Sequence, residues 1–166
     1  MRGVAAFLTF LVAAGCGGPS PSIASADPTP SAAACSPTQP NGDSPPGEDP
    51  SPGFFGDGRL YTSALSTGGE ILAQSAFVGA DGSIGWKFPW WRAPGVGAAG
   101  DLRITGHETH TGAAIVASIP DGYGQRFQAS GITFPSEGCY EITAQSGVAR
   151  LTFVVRVLKV DAVPAS

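Results

Sequence analysis

Charge, sulfur and long apolar runs are all scarce in this chain of 166 residues. Asp, Glu, Lys and Arg make up 13% of it, about half the share usual in soluble domains. Lys and Arg nowhere gather into the basic stripe that marks a nucleic-acid surface, so no nucleic-acid partner is expected. The apolar run over residues 4–14 is too short to span a bilayer. No G-x-S-x-G elbow, P-loop or paired-carboxylate pattern occurs, so the signatures of several large enzyme classes are missing. Helical periodicity persists nowhere, which leaves short extended runs as the structural signal.

What is present begins with residues 1–15. One basic residue, Arg2, precedes the apolar run, which is the layout of a signal peptide. The junction Leu11-Val-Ala-Ala-Gly-Cys16 places small residues before a cysteine. It resembles the lipobox of bacterial lipoproteins, with Ala13 where that motif prefers leucine. The resemblance implies lipidation of Cys16 and a chain anchored on the extracytoplasmic face of the cell membrane. Cleavage at an ordinary secretory site nearby is the alternative and would leave the chain secreted.

Residues 17–53 hold ten of the fifteen prolines, seven serines, four acidic residues (Asp27, Asp43, Glu48 and Asp49) and no Lys or Arg. Such a composition buries too little apolar surface to offset the entropy of ordering, so residues 16–34 read as a disordered tether. Residues 35–53 are more specific, because they carry Cys35. With Cys16 lipidated, Cys35 and Cys139 remain of the three cysteines, and in an oxidising compartment an even remainder suggests a disulfide. Strand geometry supports the pairing. In Cys139-Tyr-Glu-Ile-Thr-Ala144 the apolar set Tyr140, Ile142 and Ala144 faces a core, which turns Cys139 outward with Glu141 and Thr143. There it cannot bridge two sheets, but it can staple the Cys35 segment across the outside. Two free thiols are the other reading.

Residues 54–160 are close to neutral, with eight basic and eight acidic residues, and a short tail over 161–166 follows. Within this region extended runs alternate with Gly and Asp-Gly turns. Strands are expected over 59–65, 70–77, 83–88, 101–106, 113–119, 126–134, 139–144 and 149–159. Seven or eight strands at this rhythm predict an all-β, immunoglobulin-like sandwich, with a closed barrel as the fallback.

All three tryptophans lie in Ile84-Gly-Trp-Lys-Phe-Pro-Trp-Trp-Arg92. Alternation puts Ile84, Trp86 and Phe88 on one apolar face and Lys87 on the other. Pro89 is expected to end the strand or to mark a sheet edge. Trp90 and Trp91 then point in opposite directions, so one of them sits at least partly in solvent. An exposed member flanked by Lys87 and Arg92 would form a stacking or anchoring patch, and these four residues are the candidate ligand-binding set. The other reading makes all three tryptophans core.

Phe134-Pro-Ser-Glu-Gly-Cys-Tyr-Glu-Ile-Thr143 followed by Leu151-Thr-Phe-Val-Val-Arg156 resembles the final hairpin of immunoglobulin-like domains. Further motifs are Cys35-x-x-Thr-x-Pro-Asn-Gly, Pro45-Pro-Gly-Glu48, Lys87-Phe-Pro-Trp-Trp-Arg92, Gly122-Tyr-Gly124 and Gly138-Cys-Tyr-Glu141. Together they resemble a group of uncharacterised bacterial secreted or lipid-anchored proteins. Tyr140 stands where that group is expected to have tryptophan, and the hairpin Gly106-His-Glu-Thr-His-Thr-Gly112 replaces an arginine-rich one. The resemblance implies a location and a fold, and no activity.

Two stretches offer a chemical site instead. His107-Glu-Thr-His110 spaces its histidines by three and not by four, so it is not the helical H-E-x-x-H of metalloproteases; a polar hairpin tip is the simpler reading, with His107 and His110 as weak metal candidates. Cys139 as a nucleophile is disfavoured by Glu137 and Glu141, whose charges raise a thiol's pKa. The sequence therefore predicts a non-catalytic binding or scaffolding module of the bacterial envelope. It needs no cofactor and meets a cell-wall glycan or an envelope protein. A metal-dependent or thiol enzyme acting in the cell wall is the alternative.

Overall fold

Alternation along the chain decides which way each strand faces. In β9 (Ala149–Lys159) Leu151, Phe153, Val155 and Val157 are buried, whereas Arg150, Thr152 and Arg156 are exposed. β8 (Gly138–Ser146) does the same with Tyr140, Ile142 and Ala144. The two strands pair from Gly138↔Val157 to Ser146↔Ala149, so the hairpin closes through Gly147 and Val148. Gly147 has φ +54°, which suits the first position of a two-residue loop whose twist matches the strands.

The computed structural model describes residues 35–161, apart from Ala64, Thr67 and Ala99. The expected signal peptide, the expected lipidation site Cys16, the expected tether and residues 162–166 lie outside the described residues. The described strands form two sheets. Sheet one has the order β1-β2-β4-β7-β6, built from Phe55–Gly56, Leu60–Thr62, Ile84–Arg92, Phe127–Phe134 and Val116–Ser118. Sheet two has the order β3-β9-β8-β5, where β3 is Glu70–Ala73 and β5 is Arg103–Glu108. All pairs are antiparallel except β3 with β9. Setting β1 and β3 aside, the seven remaining strands fall into the two groups of an immunoglobulin sandwich, four in one sheet and the last two with the third (β5) in the other. Tyr140 adds the corner expected there: its hydroxyl donates to the Ser136 carbonyl at 2.9 Å, tying the start of β8 to the turn before it.

The expected runs recur with shifted ends. Only residues 70–73 of the run 70–77 are strand, and Ser75–Phe77 coils into a single 3-10 turn. The two-residue strand β1 is an addition. Among the described residues, twenty hydrophobic side chains form one buried cluster between the sheets. Phe153 stands at its centre, with ring centroids 5.6 Å from Phe55, 6.2 Å from Phe88 and 6.1 Å from Trp90, and such aromatic pairs add about 0.5–1.5 kcal/mol each beyond area burial.

The proline-rich segment over 35–53 straps the two sheets together. Cys35 is bonded to Cys139 on the outer side of β8. Thr38 donates its N–H to the Val154 carbonyl at 2.8 Å, and its hydroxyl accepts from the Val154 N–H at 2.9 Å. β3 pairs with β9 only from Arg156 onward, so Thr38 completes the edge where β3 stops short. Asn41 repeats the device on sheet one: its amide donates to the Gly56 carbonyl at 2.7 Å and accepts from the Gly56 N–H at 3.2 Å. A chain too polar to form a core is thus held by borrowed ladder bonds and one covalent link.

Candidate functional site

β4 positions the tryptophan cluster, and its course through Pro89 corrects the expectation that the strand ends there. Backbone directions explain how it continues. The Arg92 N–H donates to the Arg126 carbonyl beside β7, and the Ala93 N–H donates to the Arg59 carbonyl on the β2 side. Amide directions alternate, so position 89 faces the β2 side, where β2 has already ended opposite Trp90. The missing proline donor costs no ladder bond there.

Alternation then separates the neighbours. Trp90 is fully buried, donates its indole N–H to the Ser130 hydroxyl at 2.9 Å and stacks on Phe88 at 5.8 Å. Trp91 is half-buried on the outer face, 5.3 Å from each of the Phe54 and Phe127 rings, and its indole N–H donates to the Glu48 carboxylate at 3.2 Å. Trp86, expected in the core with Ile84 and Phe88, is only half-buried and lies 5.0 Å from the Phe77 ring.

The candidate set Lys87, Trp90, Trp91 and Arg92 therefore divides. Lys87 and Trp91 share the outer face of sheet one. Trp90 and Arg92 point inward and offer nothing to a ligand. Arg92, a flanking cation by its place in the sequence, is instead 2% exposed and ties two loops to the end of β8. It donates to the carbonyls of Ala98 and Gly124 and to the Ser146 hydroxyl. Burial lowers its pKa from the usual arginine value, and Asp101 acts in the opposite direction.

The outer face of sheet one is unlike an ordinary solvated face. Its outward residues are Gly85, Lys87, Pro89 and Trp91 on β4, Phe127, Ala129, Gly131 and Thr133 on β7, and Val116 and Ser118 on β6. Lys87 alone is charged, and it makes no hydrogen bond or ion pair among the described residues. At the lower end the strap closes over Trp91. A shallow cavity of about 410 Å³ lies there between Pro45, Pro46, Glu48, Trp91 and Phe127, and Arg126 donates to the Pro46 carbonyl. Tyr123 extends the aromatic row, 5.5 Å from Phe127. At the upper end an open trough of about 520 Å³ runs over Gly85 and Gly131 between Phe77, Trp86, Lys87 and Val116.

No protein-family model and no curated protein matches the chain. Among solved structures the chain is similar to domains 4 and 5 of the S-layer protein SbsC, at 19% identity and a TM-score of 0.38. The match covers 60% of this chain and 50% of that one, so it spans about half the length of that structure.

The chemical alternatives meet specific obstacles. Cys139 is held in the disulfide with Cys35 and presents no free thiol. His107 and His110 are exposed, whereas Glu108 between them turns inward and is 7% exposed. Burial works to raise the pKa of the Glu108 carboxyl. The backbone N–H groups of Thr111 and His110, which donate to it, outweigh that and hold it below the usual carboxylate range. Glu108 is thus spent on shaping the turn after β5. Among the described residues no group of three or more His, Cys, Asp or Glu is placed to hold a metal, and no helix is long and apolar enough to cross a membrane.

Phe54, Phe77, Phe127 and Val116 complete the outer face and were not singled out from the sequence. Phe127 had a usable signal, since it begins a strand whose alternate positions Gln128, Ser130 and Ile132 turn inward. Glu48 had none, because it reaches Trp91 from 43 positions away in the chain.

Proposed function

We propose that the chain is a lipid-anchored, extracytoplasmic module that binds or scaffolds a component of the bacterial envelope, without catalysis, through the outer face of sheet one. One observation carries the reading: ten outward residues on three paired strands include a single charge and a run of small and apolar groups. The outward face of an antiparallel sheet is normally polar, and exposed apolar patches rimmed by polar residues mark interaction sites. Two further features support the envelope location. The disulfide suits an oxidising compartment, and the Leu11–Cys16 junction suits lipidation.

The test uses detergent-solubilised full-length protein and delipidated wall fragments. The wild-type protein is expected to co-sediment with the fragments, and Ala129→Arg, which plants a charge in the middle of the face, is expected to stay in solution. Equal sedimentation of the two proteins would overturn the reading. Anchoring is tested separately: Cys16→Ser is expected to release the protein to the medium or leave it unprocessed, and normal processing with detergent-dependent extraction would overturn the lipid anchor.

A further inference from the structure

We propose that the trough over Gly85 and Gly131 is a binding subsite for an acidic oligosaccharide, one that carries a carboxylate on its rings. The proposal rests on the reading of this face as the binding face and names the ligand class.

Two glycines open the inference. A glycine inside a strand weakens it, because it adds backbone entropy and packs nothing. Neither Gly85 nor Gly131 has the left-handed φ that would require glycine. A Cβ added at Gly131 would meet nothing within 4 Å, and at Gly85 the nearest atom is the Phe77 carbonyl oxygen at 4.0 Å. The fold tolerates side chains at both positions, and their absence makes the trough.

The register shows what surrounds it. Lys87, Gly131 and Ser118 form one row across β4, β7 and β6, and Gly85, Thr133 and Val116 form the next. The floor is bare backbone, with the Lys87 ammonium on one side and the hydroxyls of Ser118 and Thr133 on the other. Phe77, which is exposed, closes one end, and its ring lies 5.0 Å from that of Trp86, which alternates inward and packs on the core.

Charge selects the occupant. A second copy docked face to face would bring a second Lys87 and no acid on that face, leaving both cations without partners, so the ligand itself supplies the anion. Backbone bonding separates a sugar from a peptide. The β4, β7 and β6 backbones are paired with one another across the trough, so an extended peptide lying there gains no ladder bonds. A pyranose needs none: its C–H face packs on the Phe77 ring, its hydroxyls meet Ser118 and Thr133, and its carboxylate meets Lys87.

Titration calorimetry of the full-length protein with a short oligogalacturonate is the test. Binding is expected, weakened up to about fivefold by Lys87→Gln, the range of a single exposed ion pair. Gly131→Val, which fills the trough, is expected to weaken it at least about tenfold while the urea midpoint stays unchanged or rises. A neutral maltooligosaccharide is expected to bind more weakly by a similar factor, up to about fivefold, because it lacks the same ion pair. The proposal is overturned if Gly131→Val binds like the wild type, if the neutral sugar or polyglutamate binds as tightly, or if oligogalacturonate does not bind. If Ala129→Arg abolishes wall sedimentation while oligogalacturonate fails to bind, the acidic-sugar assignment falls and the broader reading stands.

Discussion

The two outer faces of the sandwich are built from the same kind of strand and differ in what they show to water. On sheet two the outward residues include Arg103, Thr105 and His107 on β5, Glu141, Thr143 and Gln145 on β8, and Arg150, Thr152 and Arg156 on β9. They satisfy one another locally: the Thr143 and Thr152 hydroxyls are 2.9 Å apart, and Arg156 lies 3.8 Å from Glu70. On sheet one the corresponding positions hold glycine, proline, alanine, valine, aromatics, two hydroxyls (Ser118 and Thr133) and one lysine. Sheet two follows the rule of apolar-in and polar-out over most of its outer face, with Leu72, Val154 and Leu158 as outward apolar exceptions, and sheet one follows only its inner half. The fold needs the inner halves alone, so the departure on sheet one points to a partner.

The largest expected effect compares the two sides of β4. Trp90→Ala should cost about 3–5 kcal/mol, as buried aromatic deletions do, whereas Trp91→Ala should cost about 1 kcal/mol, in the range of partly exposed sites. Urea melts of the two variants decide the point, and equal large losses would erase the distinction between inner and outer face.

The strap that joins the two faces comes next. The cysteines are 104 positions apart, and removing a link of that span should cost about 2–4 kcal/mol. Replacing Cys35 and Cys139 by serine should also change Trp91 fluorescence as the strap loosens. A urea midpoint indifferent to reductant would show that the strap adds nothing.

Glu108 sharpens the comparison from sheet two, because it is a carboxylate that turns inward. Glu108→Gln should cost about 1.5–3 kcal/mol, the range of hydrogen bonds to charged groups. The folded pKa is depressed, so the stabilisation is complete above the unfolded value of about 4.3 and fades as pH falls through the folded value. The wild-type and Glu108→Gln melting curves should converge once the pH has fallen below the depressed folded value, and a gap that persists in strong acid would contradict this.

The smallest pair sets face against face directly. Thr143→Ala on sheet two should lose about 0.2–1 kcal/mol of cross-strand interaction, whereas Gly131→Ala on sheet one should gain about 0.5–1 kcal/mol. A loss at Gly131 would mean that the fold itself requires the glycine.

Much of the sandwich was legible because strand alternation is a local, two-residue period. It predicted the inward set of β9, the outward Cys139 that the disulfide uses and the opposed directions of Trp90 and Trp91. Other features turned on chain segments far away. Pro89 sits inside a strand because β2 ends one residue early, and no local pattern records where a neighbouring strand stops. Arg92 is buried because the Ala98 and Gly124 carbonyls and the Ser146 hydroxyl converge on it, although composition alone places an arginine in solvent. The trough exists because register sets Gly131 between Lys87 and Ser118. The sequence by itself determined which side of each strand is apolar, since that depends on residues two apart; only the tertiary structure decided which outward residues meet, since pairing joins positions tens of residues apart.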